Sequence, residues 1–355
     1  MSQLGVRMHG ITLTLESEHA PLLEYAQRHL HGLVESAIAA PHIRVKCHWS
    51  QGEWDAEHNP FPVSGALNVI GKRMLGNAHE LLWLDTLRMK GLQLRFSRAG
   101  EQWFFEVAFR FHPKKEKLEN LPEYEFKKYF SLMSYLAYYP LFWYLERFRG
   151  WSVLHASALA STKGGLMIGG LGGVGKTTTC VALLQRQGIE LLAENLIFTD
   201  GEFIYPCYEP IRLDENSLAM LDGDLKGLAP MFFPEGLKDK TMFHPPLRES
   251  LEKVKPAALF LPQFSPQRYV KAIPPELAAE KMLAMNRLTR ELDDYYWYAA
   301  ALDMHWPAPN RAQQRSEVLH RCAARAHCFE LGIDRAAGVN AVVEDILHVL
   351  ARATD

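Results

Sequence analysis

One stretch, Gly170-Leu171-Gly172-Gly173-Val174-Gly175-Lys176-Thr177, constrains this chain more than any other. It fits the pattern G-x-x-x-x-G-K-[ST], between an apolar run, Gly165 to Gly169, and a helical stretch, Lys176 to Gln187, closed by Gly188. A strand that turns through glycines into a helix aims backbone N–H groups and a positive helix end at one point. That is a phosphate-binding loop, a P-loop with the Walker A pattern. Its glycines let N–H groups turn inward around a triphosphate, its lysine, expected to be exposed before a nucleotide binds, meets the β- and γ-phosphates, and its threonine hydroxyl holds Mg²⁺. The expected nucleotide-binding residues are therefore Gly170, Gly172, Gly173, Val174, Gly175, Lys176, Thr177 and Thr178, with ATP and Mg²⁺ as cofactors.

The rest of the chain supplies the frame. At about 100–200 residues per domain, 355 residues suggest two domains. A hydrophobic content of 48% with 23% charged residues belongs to a core-forming protein, not a disordered one. A net charge of −2 gives no support to a surface built to coat nucleic acid or an anionic membrane. The five cysteines include no C-x-x-C pair, which fits a reducing compartment, and the N-terminus lacks the apolar run of a signal peptide. A cytoplasmic location is expected. The apolar stretch Phe130 to Leu145 is shorter than the roughly 20 residues of a membrane span, contains Pro140, and reads as a buried helix pair.

The first part alternates as strands do from Met8 to Glu16 and turns helical from Ala20 to Val34. A hairpin follows: Leu92, Leu94 and Phe96 on one arm, a turn at Arg98–Glu101, then Trp103, Phe105, Val107, Phe109 and Phe111. A basic run, His112 to Lys117, interrupts the pattern, so the expected division is an α+β domain at 1–120 and a P-loop domain at 121–355. In the second, strands are expected at 152–160, 165–169, 189–193, 257–261 and 327–333. Helices are expected at 275–290, 311–325 and 340–351, and a hairpin tip at Asp200-Gly201 in a type I′ turn. The fold class is α/β, a nucleotide-binding domain preceded by a smaller α+β domain in which no constellation carries recognisable chemistry.

Phosphoryl transfer needs a carboxylate near the metal or the attacking hydroxyl. Strand 189–193 delivers Glu194 and Asn195 at its end. If that strand lies beside the P-loop strand, both emerge at the phosphate edge of the sheet. His155, on the strand before the loop, is either a hydrogen-bonded structural residue or part of the site. Lys238, Lys240 and Arg248 lie in a polar segment bounded by prolines, suited either to solvent or to closing over phosphates. His320, Cys322, His327 and Cys328 carry metal-ligand chemistry, but without a tight knuckle no zinc site is expected. Arg311, Arg315, Arg321 and Arg325 recur at i, i+4 spacing, the mark of an exposed helix face.

From His155 to Leu213 the chain resembles the HPr kinase/phosphorylase family and its related P-loop kinases. The resemblance is carried by Leu154-His155-Ala156, Gly170 to Thr177, Arg186-Gln187-Gly188 and Ala193-Glu194-Asn195. Tyr205-Pro206 and Pro210-Ile211-Arg212-Leu213 continue it. It implies an HPr-kinase-like fold for the second domain only. It also implies that Lys176 and Thr177 hold phosphates and Mg²⁺, that Glu194 is the general base, and that His155 contacts that carboxylate. Glu194, His155 and Lys176 are then the catalytic residues, and Thr177, Glu194 and Asn195 the Mg²⁺ ligands. The chain departs from the family's Asp-Asp pair, since Glu194 and Asn195 stand in its place.

The expected activity is an ATP-dependent kinase acting on a hydroxyl, of a protein or peptide serine or of a small molecule. No nucleic-acid or membrane partner is expected, and homo-oligomerisation stays open. Two alternatives differ in class: a P-loop ATPase or GTPase switch, suggested by Gly-Gly-Val-Gly-Lys-Thr-Thr-Thr, and a non-catalytic nucleotide-binding scaffold. The first is weakened by Leu171 in place of the lysine of ParA-like loops and by the absence of Asn-Lys-x-Asp.

Overall fold

The computed structural model describes residues 2–36, 38–52, 59–61, 67–84, 89–113, 121–221, 225, 227–231, 240–246, 252–308 and 310–352. The chain is mixed α/β, and its contacts divide it into two units. The first comprises the described residues up to Leu145 together with Asp294–Ala308; the second comprises the other described residues. The first unit thus runs past the 120/121 boundary read from the basic run and takes back a later helical segment. Aromatic packing is the reason. Trp143 meets Trp103 edge-on at 4.6 Å and donates its indole N–H to Asp303, while Tyr298 meets Phe96 at 5.3 Å.

The first unit is built on a nine-stranded sheet. Its order is Val34–Glu35, Ser2–Met8, Ile11–Ser17, Ile43–Gln51, Gln102–Phe111, Leu92–Ala99, Glu80–Trp83, Met74–Gly76 and Asn68–Gly71. Ile43–Gln51 is parallel to both its neighbours, and the other pairs are antiparallel. The hairpin Leu92–Ala99/Gln102–Phe111 buries the expected faces, but its turn falls one residue later than read, at Gly100-Glu101 between paired Ala99 and Gln102. The expected single strand from Met8 to Glu16 is instead the second arm of a hairpin. His9 and Gly10, at φ of 50° and 77°, turn between the arms, a left-handed pair that histidine does not advertise. The expected helix pair around Pro140 is Leu121–Met133 and Tyr139–Arg149, joined by a π-helical stretch, Ser134–Tyr138. Among the described residues, no helix is long and apolar enough to cross a membrane.

In the second unit an eight-stranded sheet has the order Ile204–Pro206, Leu196–Thr199, Ser152–Ser161, Gly164–Gly169, Pro256–Phe264, His327–Ile333, Tyr269–Ala272. Glu190–Ala193 is the eighth strand and pairs with Ser152–Ser161. Helices cover both faces. Leu166 and Ile168 pack with Val181 and Leu183 of helix Lys176–Leu184 and with Val343 and Ile346 of helix Gly338–Arg352. Met167 points the other way, toward Met282 of Pro275–Leu288 and Leu319 of Arg311–Ala323. A strand covered on both faces reads as an unbroken apolar run, and Gly165–Gly169 does. A three-stranded sheet, Ile211–Leu213, Thr241–His244 and Ala229–Pro230, completes the unit. Helix Arg290–His305, which the sequence reading omits, follows Pro275–Leu288 almost without a break.

Two expectations are corrected here. The Asp200-Gly201 tip is not a type I′ turn, because only Gly201 is left-handed, at φ 91°. Asp200 instead accepts hydrogen bonds from the Glu202 and Phe203 amides at 2.8 Å, the behaviour of an Asx turn. The arginine series is not a solvent face throughout. Arg315 makes a two-pronged pair with Glu146, at 2.9 and 2.6 Å, whose side chain is 1% exposed, and Arg311 is itself buried.

Candidate functional site

Strand register assembles the site. Gly164–Gly169 ends with Gly169 opposite Ala156 of the central strand Ser152–Ser161. On that strand's other side, Ala158 pairs with Ala193 and His155 with Leu196, so Glu194 and Asn195 fall in a break of the ladder. The Ser157 hydroxyl donates to the Glu194 carbonyl there, satisfying a group the ladder has lost. Strand Glu190–Ala193 therefore does not lie beside Gly164–Gly169, as the sequence reading supposed, but one strand away. Both run antiparallel to the strand between them, hence in the same direction, and Glu194 still stands level with the glycine loop.

The loop itself turns through positive φ at Gly170 (130°), Gly173 (81°) and Gly175 (88°) before helix Lys176–Leu184 begins. These angles suit glycine and strain other residues. A Cβ at Gly172, Gly173 or Gly175 would meet nothing within 4 Å, so space lies open beside these glycines. Leu171 is exposed, whereas Lys176 is buried, at 7% exposure. The sequence reading expected an exposed lysine. Instead the loop folds its own carbonyl over the ammonium, and Lys176 Nζ donates to Leu171 O at 2.8 Å. The Thr177 hydroxyl donates to the Glu194 carboxylate, and the Thr178 hydroxyl to Ser217 at 3.1 Å.

His155 is placed differently from its expected role. Its hydrogen bonds go to Thr289, through Nδ1 at 3.0 Å, and from its own amide to Asn286 Oδ1 at 3.1 Å, rather than to Glu194. It also sits beside Lys176, the Asn195 side chain and the Gly170 backbone. Burial first, then the positive charge of Lys176, pull its pKa down to about 3, so it is a neutral imidazole at ordinary pH. Asn195 turns its amide nitrogen to Glu209, donating to Oε2 at 3.2 Å.

Three site residues were given no role by the sequence reading, although Arg212 lies in the run Pro210-Ile211-Arg212-Leu213 that continues the resemblance. Glu209 precedes strand Ile211–Leu213, Arg212 lies on it, and Glu291 stands in the first turn of Arg290–His305. Arg212 Nη2 donates to Glu291 Oε1 at 3.4 Å across 79 residues of sequence, a separation no local pattern reveals. The site thus gathers three carboxylates, Glu194, Glu209 and Glu291, around two cations, Lys176 and Arg212. Burial lowers Lys176 to about 8, against the pull of Glu194 and Glu291. Burial raises Glu194, outweighing the Thr177 hydroxyl, Arg212 and Lys176. Glu209 is raised to about 8, by burial and then by the charge of Glu291. No protein-family model matches this chain. No curated protein matches it either.

The remaining candidates lie apart from these residues. Cys322 is buried against Met167, Cys328 turns its thiol to the Ala323 and Ala326 carbonyls, and His320 meets Glu280 at 3.2 Å. Lys238 and Arg248 lie outside the described residues, and Lys240 is exposed.

Proposed function

We propose that the chain is an ATP-dependent kinase of the HPr-kinase-like kind, transferring a phosphoryl group to a hydroxyl of a protein serine or a small molecule. The observation that carries this reading is the meeting of Thr177 with Glu194 at the mouth of the glycine loop. Loop, lysine, hydroxyl and carboxylate are the parts phosphoryl transfer requires, drawn from separate elements. The likeness of His155 to Leu213 to HPr kinases points the same way.

The residues fit the groups the reaction needs. The space beside the loop glycines and the helix beginning at Lys176 suit a polyphosphate. The Thr177 hydroxyl and the Glu194 carboxylate are hard oxygen donors already in contact, as Mg²⁺ prefers. Mg-ATP, when bound, supplies the phosphoryl group and the metal charge that neutralises it. Lys176 then exchanges the Leu171 carbonyl for phosphate oxygens. Glu194 takes the proton of the acceptor hydroxyl; its raised pKa makes it a stronger base than an ordinary carboxylate. His155, neutral and fixed by Thr289, acts as a positioning residue beside Asn195 and the loop.

Glu194→Gln tests the assignment. It keeps size and hydrogen bonding but cannot take a proton, so turnover at saturating Mg-ATP should fall by about 10²–10⁴-fold, and Mg-ATP affinity should fall too in so far as Glu194 holds Mg²⁺. Because the base must be ionised, wild-type turnover should rise with pH as Glu194 loses its proton, and that limb should vanish in the variant. Unchanged turnover in Glu194→Gln removes Glu194 as the base.

A further inference from the structure

We propose that Arg212 is a second phosphoryl-binding cation of this site, and that Glu291 holds its guanidinium until a phosphoryl group displaces the carboxylate. The inference rests on the nucleotide-binding reading above and extends it to two residues outside the glycine loop. Charge balance raises the question. Two cations face three carboxylates, and a ligand bearing several negative charges must enter among them. Glu194 is bonded to Thr177 and available to a metal, and Glu209 is bonded to Asn195 on the half-buried side. Glu291 differs from both. Its side chain is 44% exposed, it sits in a first helical turn, and it lies in the fields of Lys176, Glu194 and Glu209 as well as against Arg212.

Its contact with Arg212 is long, 3.4 Å, with neither side chain buried, at 27% and 44% exposure. A structural tie would be shorter and drier, as the Arg315–Glu146 pair is. A weak, wet pair contributes little to stability and is readily exchanged. Arginine, planar and always charged, is suited to trade one carboxylate for a phosphoryl group with two parallel hydrogen bonds. Arg212 also bears on Glu194, so a phosphoryl group bound to it stands near the base. Glu291 thus accepts from the guanidinium that a phosphoryl group would take over.

The experiment is a double-mutant cycle read by calorimetric titration with Mg-ATP and Mg-ADP, using the full chain. Glu291→Gln should bind Mg-ATP about three-fold or more tightly than wild type, with a smaller gain for Mg-ADP. Arg212→Met should weaken Mg-ATP about ten-fold, Arg212→Lys should recover part of the loss, and Glu291→Gln should add nothing in the Arg212→Met background. Melting temperatures of each variant confirm that the fold is intact. Intact wild-type binding with no gain in Glu291→Gln overturns the inference alone. An equal gain with and without Arg212 also overturns it, since the effect is then general charge. Wild type that binds neither nucleotide overturns the nucleotide reading and this inference with it.

Discussion

Replacing Lys176 with Met should move stability and binding in opposite directions. The lysine is 7% exposed and its pKa falls from 10.5 to about 8. At 1.36 kcal/mol per pKa unit, holding that proton in the folded state costs about 3 kcal/mol at pH 7. Methionine keeps the buried stem and removes the charge. That figure already contains the attraction of Glu194 and Glu291; the Leu171 carbonyl, left without its donor, offsets part of the gain and leaves a net stabilisation of about 1–2 kcal/mol. ATP affinity should instead fall, since a charge-assisted bond to phosphate is worth about 1.5–3 kcal/mol, roughly ten-fold or more. The pH dependence follows from linkage. Between about 8 and 10.5 the unfolded chain holds the Lys176 proton while the folded chain has released it, so folded stability rises with pH in that window. Lys176→Met should lack that rise. The assays are urea unfolding at pH 7 and pH 10 and calorimetric titration of Mg-ATP at pH 7. A variant less stable than wild type at pH 7 that still binds ATP normally would refute both halves of the reasoning.

Two further substitutions test the frame. Gly201→Val puts a β-branched side chain at φ 91°, with its Cβ 2.9 Å from the Arg321 Cβ and 3.1 Å from the Val318 carbonyl. Thermal unfolding should show a loss of about 1–3 kcal/mol with no direct effect on nucleotide affinity. Arg315→Met strands the Glu146 carboxylate, 1% exposed, without its two-pronged partner, and denaturant unfolding should show a loss of about 3–5 kcal/mol.

The glycine loop was legible because its chemistry is local: strand, turn and helix follow one another, and the pattern's two fixed glycines, Gly170 and Gly175, both take positive φ. The level of Glu194 was legible for a reason only half right. The strand direction sufficed, although Ser152–Ser161 intervenes between the two strands. Burial was not legible. Nothing in Gly-Lys-Thr says that Lys176 turns back onto Leu171. Partners drawn from distant elements were equally hidden. Thr289, Glu209 and Glu291 reach His155, Asn195 and Arg212 only through the tertiary fold. Arg315 misled because i, i+4 spacing describes a helix surface, whereas its partner, Glu146, belongs to another helix. In the first unit the His9-Gly10 turn was missed because glycine announces only one of its two left-handed positions.

The central claim is that Lys176, Thr177 and Glu194 together move a phosphoryl group to a hydroxyl. Incubating the protein with Mg-ATP labelled at the γ-phosphate tests it most directly, with label counted on acceptor candidates, on the protein and as free phosphate. The account predicts label on a hydroxyl-bearing acceptor, or slow release as phosphate when no acceptor is present, and neither in Glu194→Gln. Bound ATP that stays intact under every condition, with acceptor candidates present, would contradict it and leave a nucleotide-binding scaffold.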